Sequence, residues 1–391
     1  MEIVLEIQAE GCEVRKGGDI LTGYLSLDGS CLVGYDFTIK FEGLIRTWLR
    51  PINSTGGALI AEYKARPFLK ETQDITTPLY NSDPSTEQIS CRLPFEFVIP
   101  ESLISARSDV ASHYLNLLPT VKEGPTYQGP TSGTVYMRPM IAYMLTASNT
   151  HIGRVKGYRC TREIIVMPSM SAAPPLQTEH FQREYKVNSC KALKRHMWTR
   201  PIGKLTVSAV EPQPLNLSTG EPRATTTAAI KLLFKPCKAQ ISAARPYDWN
   251  ISVKSFLHIK TFFTTQPFNR IPTEKGAEID PVVGVDSQIT APDVRRCDTL
   301  PWRLYRLSSA GTITTDAAAA TPWTSTLIVP VSASKTLLPI FLSPLSARRY
   351  VLVLQLNVED MFHGVIALEI PIQVIHDPSQ TASHSRWSSG G

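Results

Sequence analysis

With 391 residues, 42% of them apolar and 19% charged, the chain has room for two ordinary domains and a full hydrophobic core. That balance excludes a broadly disordered chain. Its 30 prolines are spread along the whole length, which favours short strands and turns over long helices. The most apolar stretch, Leu327 to Leu345, holds Lys335 and three prolines. A lipid-spanning helix needs about 20 mostly apolar residues, so none is predicted there.

Met1 to Glu6 has acidic residues where a secretory leader carries a basic region, so no signal peptide is predicted. Seven cysteines (Cys12, Cys31, Cys91, Cys160, Cys190, Cys237, Cys297) are odd in number and widely scattered, and no CxxC pair occurs. That pattern predicts neither a disulfide framework nor a zinc site, and a reduced, cytoplasmic setting.

In chain order, the dominant pattern is period-two alternation, the mark of half-buried strands. Phe37, Ile39, Phe41, Ile45 and Leu49 alternate with Thr38, Lys40, Glu42 and Arg46, and Leu93, Phe95, Phe97 and Ile99 repeat the pattern. Between them and the second half, Met167 to Pro175 is low in charge and rich in breakers, which predicts a boundary that proteases cut first. From Gln177 to Thr199 a helix competes with a linker, since Phe181, Tyr185, Leu193 and Met197 fall near helical spacing but strong caps are missing. Further on, Leu205 and Val207 alternate with Lys204, Thr206 and Ser208, and Ile230, Leu232 and Phe234 with Lys231 and Lys235. Ile251 to Phe263 continues the pattern. Tyr350 to Val358 and Ile366 to Val374 are the two strongest strands, joined as a hairpin by Asp360 to Gly364. The expectation is all-β, with an N-terminal lobe over 1–167, a basic inter-lobe linker over 168–199, a C-terminal lobe over 200–376 and a polar, Ser-rich, disordered tail over 377–391.

Several strings in this order resemble the arrestin family. Gly18 to Leu27 is similar to the glycine turn and strand near the start of arrestin N-terminal lobes, and the Asp36 to Gly43 strand follows as it does there. Leu93-Pro94-Phe95-Glu96-Phe97-Val98-Ile99-Pro100 and Tyr143 to Ala147 resemble two later strands of that lobe. Arg200 to Ser208 resembles the opening of the C-terminal lobe in arrestin-like proteins of filamentous fungi, and Phe256 to Pro267, Leu327 to Val331 and Arg349 to Val358 also fit. The resemblance implies two arrestin-type, immunoglobulin-like β-sandwich lobes in tandem. It also implies a non-enzymatic adaptor or scaffold binding cytosolic parts of membrane proteins. Relatives of the α class recruit ubiquitin ligases through PPxY motifs read by WW domains. Here Thr77-Pro78-Leu79-Tyr80, Gly124-Pro125-Thr126-Tyr127 and Pro174-Pro175-Leu176-Gln177 each keep only part of that motif, which sets ligase recruitment in doubt.

No HExxH, P-loop, GxSxG or Rossmann fingerprint occurs, and the eight histidines are isolated from one another. No catalytic residue, metal or cofactor is therefore predicted. The charge pattern nominates one surface. Between Arg154 and Lys204 eleven basic residues face three acidic ones, a local +8 against +6 for the whole chain. Within that run, Lys191, Lys194, Arg195, Arg200 and Lys204 are the candidate site for an anionic partner, a lipid surface or phosphorylated tails; with no nucleic-acid-binding module in the sequence, nucleic acid ranks last and is not predicted. The competing reading is a solvated linker. Two other functional classes stand beside the adaptor: an enzyme or binding protein using the inter-lobe cleft on an apolar small molecule, and a coat-like trafficking subunit.

Overall fold

The computed structural model describes residues 2–7, 14–28, 36–49, 62–76, 90–103, 116–122, 139–149, 159–181, 184–218, 222–237, 246, 249–297, 300–304, 321–359, 361–362 and 364–378. The Pro-x-Tyr strings ending at Tyr80 and Tyr127, Cys12, Cys31 and the tail from 379 lie outside them. What is described is nearly all strand, with one short helix, α1 (Glu274–Ile279).

The first eight strands are β1 (Glu2–Ile7), β2 (Val14–Arg15), β3 (Ile20–Asp28), β4 (Asp36–Leu49), β5 (Glu62–Thr76), β6 (Ser90–Val98), β7 (Met140–Asn149) and β8 (Arg159–Val166). They form a three-stranded sheet, β1-β3-β6, and a five-stranded one, β2-β8-β7-β4-β5. Because alternate side chains share a face, Leu25, Leu27, Leu93 and Phe95 from the first sheet meet Phe37, Ile39, Phe41 and Tyr143 from the second in one core. Phe41 and Phe97 lie across that core with ring centroids 6.0 Å apart. The buried Tyr143 hydroxyl donates to the Leu118 carbonyl at 2.6 Å. Gly18 sits at φ +86°, a conformation that side chains resist, in the turn between β2 and β3.

The remaining strands are β9 (Asn188–Leu193), β10 (Gly203–Ala209), β11 (Leu215–Asn216), β12 (Arg223–Pro236), β13 (Ile251–Thr264), β14 (Val283–Ile289), β15 (Asp293–Cys297), β16 (Arg303–Leu304), β17 (Trp323–Ser334), β18 (Phe341–Leu342), β19 (Ser346–Val358), β20 (Val365–Ile372) and β21 (Val374–Ile375). One sheet runs β16-β17-β12-β10-β9. The other runs β14-β13-β19-β18, with β15 paired to β13 and β20 to β19. Leu205, Val207, Ile230 and Leu232 of the first meet Val253, Leu352, Leu354 and Leu368 of the second in a separate core. The β19–β20 pairing, Tyr350↔Ile372 to Asn357↔Val365, is the hairpin read from the sequence.

Residues 188–193 differ from the expected linker and from the competing helix. Thr178–His180 makes only a single 3-10 turn. Asn188–Leu193 is a strand paired along its length with β10. Its own period-two pattern explains this, with Leu193 turned to the core and Asn188, Cys190 and Ala192 turned outward.

The two cores are tied together. Phe341 and Leu345, from the β18–β19 hairpin, are buried in the first core although their strands belong to the second. Thr47 Oγ1 donates to the Thr264 carbonyl at 2.8 Å in a buried contact. The breaker-rich segment is strand-free from Met167 to Gln177 and is itself tethered. Met170 N–H donates to the His376 carbonyl at 2.8 Å, and Ala173 N–H to Gln373 Oε1 at 2.9 Å.

Candidate functional site

The sheet β16-β17-β12-β10-β9 has a one-sided charge. Its five strands carry Lys191, Lys204, Arg223, Lys231, Lys235 and Arg303, and no Asp or Glu. The register decides which cations share a face. Lys204 pairs with Lys235 on one side and Ala192 on the other, so both lysines stand together on the outer surface, above the buried Leu205 and Phe234. Arg303 pairs with Thr324, which pairs with Leu233, and this puts Arg303 on the same surface near the same end. Like charges directly opposite across a strand pair repel and cost stability.

At that end β9 turns into β10. Ile202 N–H donates to the Leu193 carbonyl at 2.9 Å, and Gly203 opens β10. A Cβ on Gly203 would lie 2.3 Å from the Phe234 ring, so the close approach of turn and core requires glycine. Beyond it the chain reverses over His196 to Thr199. Thr199 N–H donates to the His196 carbonyl at 3.2 Å, and the Thr199 hydroxyl both donates to that carbonyl at 2.9 Å and accepts from His196 N–H at 3.1 Å. Met197 and Trp198 occupy the two central positions, where Gly, Pro, Asn and Asp are the usual turn formers. Both project outward: Trp198 is 91% exposed and Met197 54%.

The five predicted residues are divided by this geometry. Arg195 and Arg200 are exposed on the turn, and Lys204 is exposed just after it. Lys194 is half-buried at the end of β9, its carbonyl accepting from Phe362 N–H at 2.8 Å. Lys191 is set apart, on the face of Leu205, with Nζ donating to the Val365 carbonyl at 3.0 Å. Sequence reasoning missed Lys235, Arg303 and the Met197–Trp198 apex as partners of this group. Trp198 lay inside the basic run and was the available signal; Lys235 and Arg303 come from distant segments and join only through strand register.

Two further polar features lie elsewhere in the fold. A cavity of about 410 Å³ lies where the connection 168–173 meets Leu117, Phe341 and Arg348. Arg348 is buried there, with Nε donating to Thr261 Oγ1 at 3.0 Å. Nearby, Glu184 is 1% exposed and pairs with Arg349 at 2.9 Å, and Glu184 Oε1 accepts from Glu274 N–H at 2.6 Å. Burial pushes the Glu184 carboxyl above its ordinary range despite the opposing pull of Arg349. The guanidinium carbon of Arg349 lies 4.7 Å from the ring centroids of both Phe181 and Phe262, a double cation–π contact. This network fastens Phe181 and Glu184 onto β13 and β19. Arg349 Nη2 also donates to the Pro272 carbonyl at 2.6 Å, while its Nε and Nη1 are buried without a hydrogen-bond partner among the described residues, so the ion pair and the two rings hold this structural clasp.

Among the described residues, no three His, Cys, Asp or Glu side chains gather as a metal site, and no helix is long and apolar enough to cross a membrane. No protein-family model matches the chain, and no curated protein is significantly similar to it.

Proposed function

We propose that the chain is a non-enzymatic adaptor or scaffold that works against the anionic cytosolic face of a membrane and binds cytosolic segments of membrane proteins. The observation that carries the proposal is the five-stranded sheet with cations and no carboxylates, its basic end built from Arg195, Arg200, Lys204, Lys235 and Arg303. A field of one sign attracts counter-charged surfaces and is stabilised by them. Each Lys or Arg near an anionic leaflet contributes about 1 kcal/mol, so several together support reversible, salt-sensitive docking. The sequence strings similar to arrestins agree with this reading. So does an architecture of two sheet pairs, each around its own core, which in this proposal are two arrestin-type sandwiches in tandem. Ligase recruitment through PPxY motifs is not part of the proposal.

The test is affinity purification of the tagged full chain from native cells after mild crosslinking, beside a Lys204→Glu/Lys235→Glu variant. The expected result is integral membrane proteins with the wild type and their loss with the variant. Soluble partners in fixed stoichiometry would replace the adaptor with a coat-like subunit. A co-purified small molecule with no membrane protein would favour the 410 Å³ cavity as the functional site.

A further inference from the structure

We propose that the Met197–Trp198 apex is a lipid anchor, entering the boundary between headgroups and acyl chains of an anionic bilayer while the surrounding cations hold the phosphates. The inference rests on the reading that this end of the sheet faces a membrane, and it adds the part of the contact that is apolar.

Three observations converge on it. The first is chemical: the turn is closed by Thr199, so neither Met197 nor Trp198 is needed to form it. The second is exposure. Trp198 keeps 91% of its surface in water, although a side chain of its size is among the most strongly driven toward burial. Tryptophan is also the residue most at home at a membrane interface, where one edge is apolar and its N–H stays wet. The third is context. Arg195 and Arg200 flank the apex in the chain, and Lys204, Lys235 and Arg303 lie on the outer surface behind it, with no carboxylate on any of the five strands. An apolar tip flanked by two arginines, with further cations on the sheet behind it, matches a surface that is apolar within and anionic at its rim. A protein pocket for one tryptophan would not call on cations spread across two further strands. The turn is also internally bonded and stands on a paired hairpin, so little conformational freedom is lost when it inserts.

The experiment uses the full-length protein and phosphatidylcholine vesicles with and without phosphatidylserine, some carrying brominated acyl chains that quench tryptophan on contact. Six tryptophans contribute to the signal, so the Trp198 share is the difference between wild type and Trp198→Phe. The expected result is quenching by brominated, phosphatidylserine-containing vesicles that disappears in Trp198→Phe. Vesicle affinity should fall about tenfold in Trp198→Ser, and Trp198→Phe should restore most of it. An unchanged affinity in Trp198→Ser, or no quenching in wild type, would overturn the anchor. If Lys204→Glu/Lys235→Glu still abolished binding in that case, the membrane-facing reading would survive without it. Wild type ignoring both vesicle types would overturn both. Equal quenching on vesicles lacking phosphatidylserine would overturn the anionic component. Vesicle binding that Trp198→Ser abolishes without wild-type quenching would also overturn the anchor and make Trp198 a support of the turn that presents the cations.

Discussion

Lys204 and Lys235 stand opposite each other on adjacent strands and on the same face, a pairing that raises the energy of the folded chain. A cross-strand pair of opposite charge is worth about 0.2–1 kcal/mol, so Lys204→Glu is expected to raise stability by an amount of that size while weakening association with anionic vesicles. Thermal denaturation and vesicle cosedimentation check the two effects together. A variant that loses stability would show that Lys204 is held by contacts other than electrostatic ones. Lys204 was readable from the sequence because it sits in a local run of basic residues. Lys235 was visible there only as the polar half of an alternating strand. Its meeting with Lys204 depends on antiparallel register, a relation between segments about thirty residues apart.

At the scale of elements, the strands were the most legible part. Alternation over Phe37 to Leu49, Leu93 to Ile99 and Tyr350 to Val374 reports burial on one face, and the structure has strands at each of these places. The strand at 188–193 is not legible in the sequence because an edge strand of small and polar residues carries little hydrophobic signal; only Leu193 points fully into the core. The tie between the cores was invisible for a different reason. Phe341 and Leu345 belong by chain position to the second core, and a contact with the first is a property of packing alone. That tie has a measurable consequence. Truncating a buried phenylalanine costs about 3–5 kcal/mol, and Phe341→Ala is expected to lower stability by that much in a single shared denaturation transition. Two separate transitions, only one of them shifted, would show that the halves unfold independently. For the same reason, cutting the exposed connection at 171–175 should leave both parts associated, in contrast to the separate fragments its composition suggested.

Across the whole molecule, charge and shape divide the labour. The sheet β14-β13-β19-β18 is covered in part by the Glu184–Arg349 clasp, and its outer strand β15 mixes both signs: Arg295 pairs with Asp293 and Arg296 with Glu359. The opposite sheet keeps its cations without carboxylates and ends in the exposed Met197–Trp198 turn. The net charge of +6 says little about this, since it averages a basic end with a nearly neutral remainder. If one end of one sheet meets an anionic membrane, amide hydrogen exchange on the full chain, with and without phosphatidylserine vesicles, will register the contact. New protection is expected over 194–204 and the adjoining ends of β12 and β16, and none over β14 and β15. Protection centred on β14 and β15, or unchanged exchange at 194–204 in protein that has bound the vesicles, would contradict it.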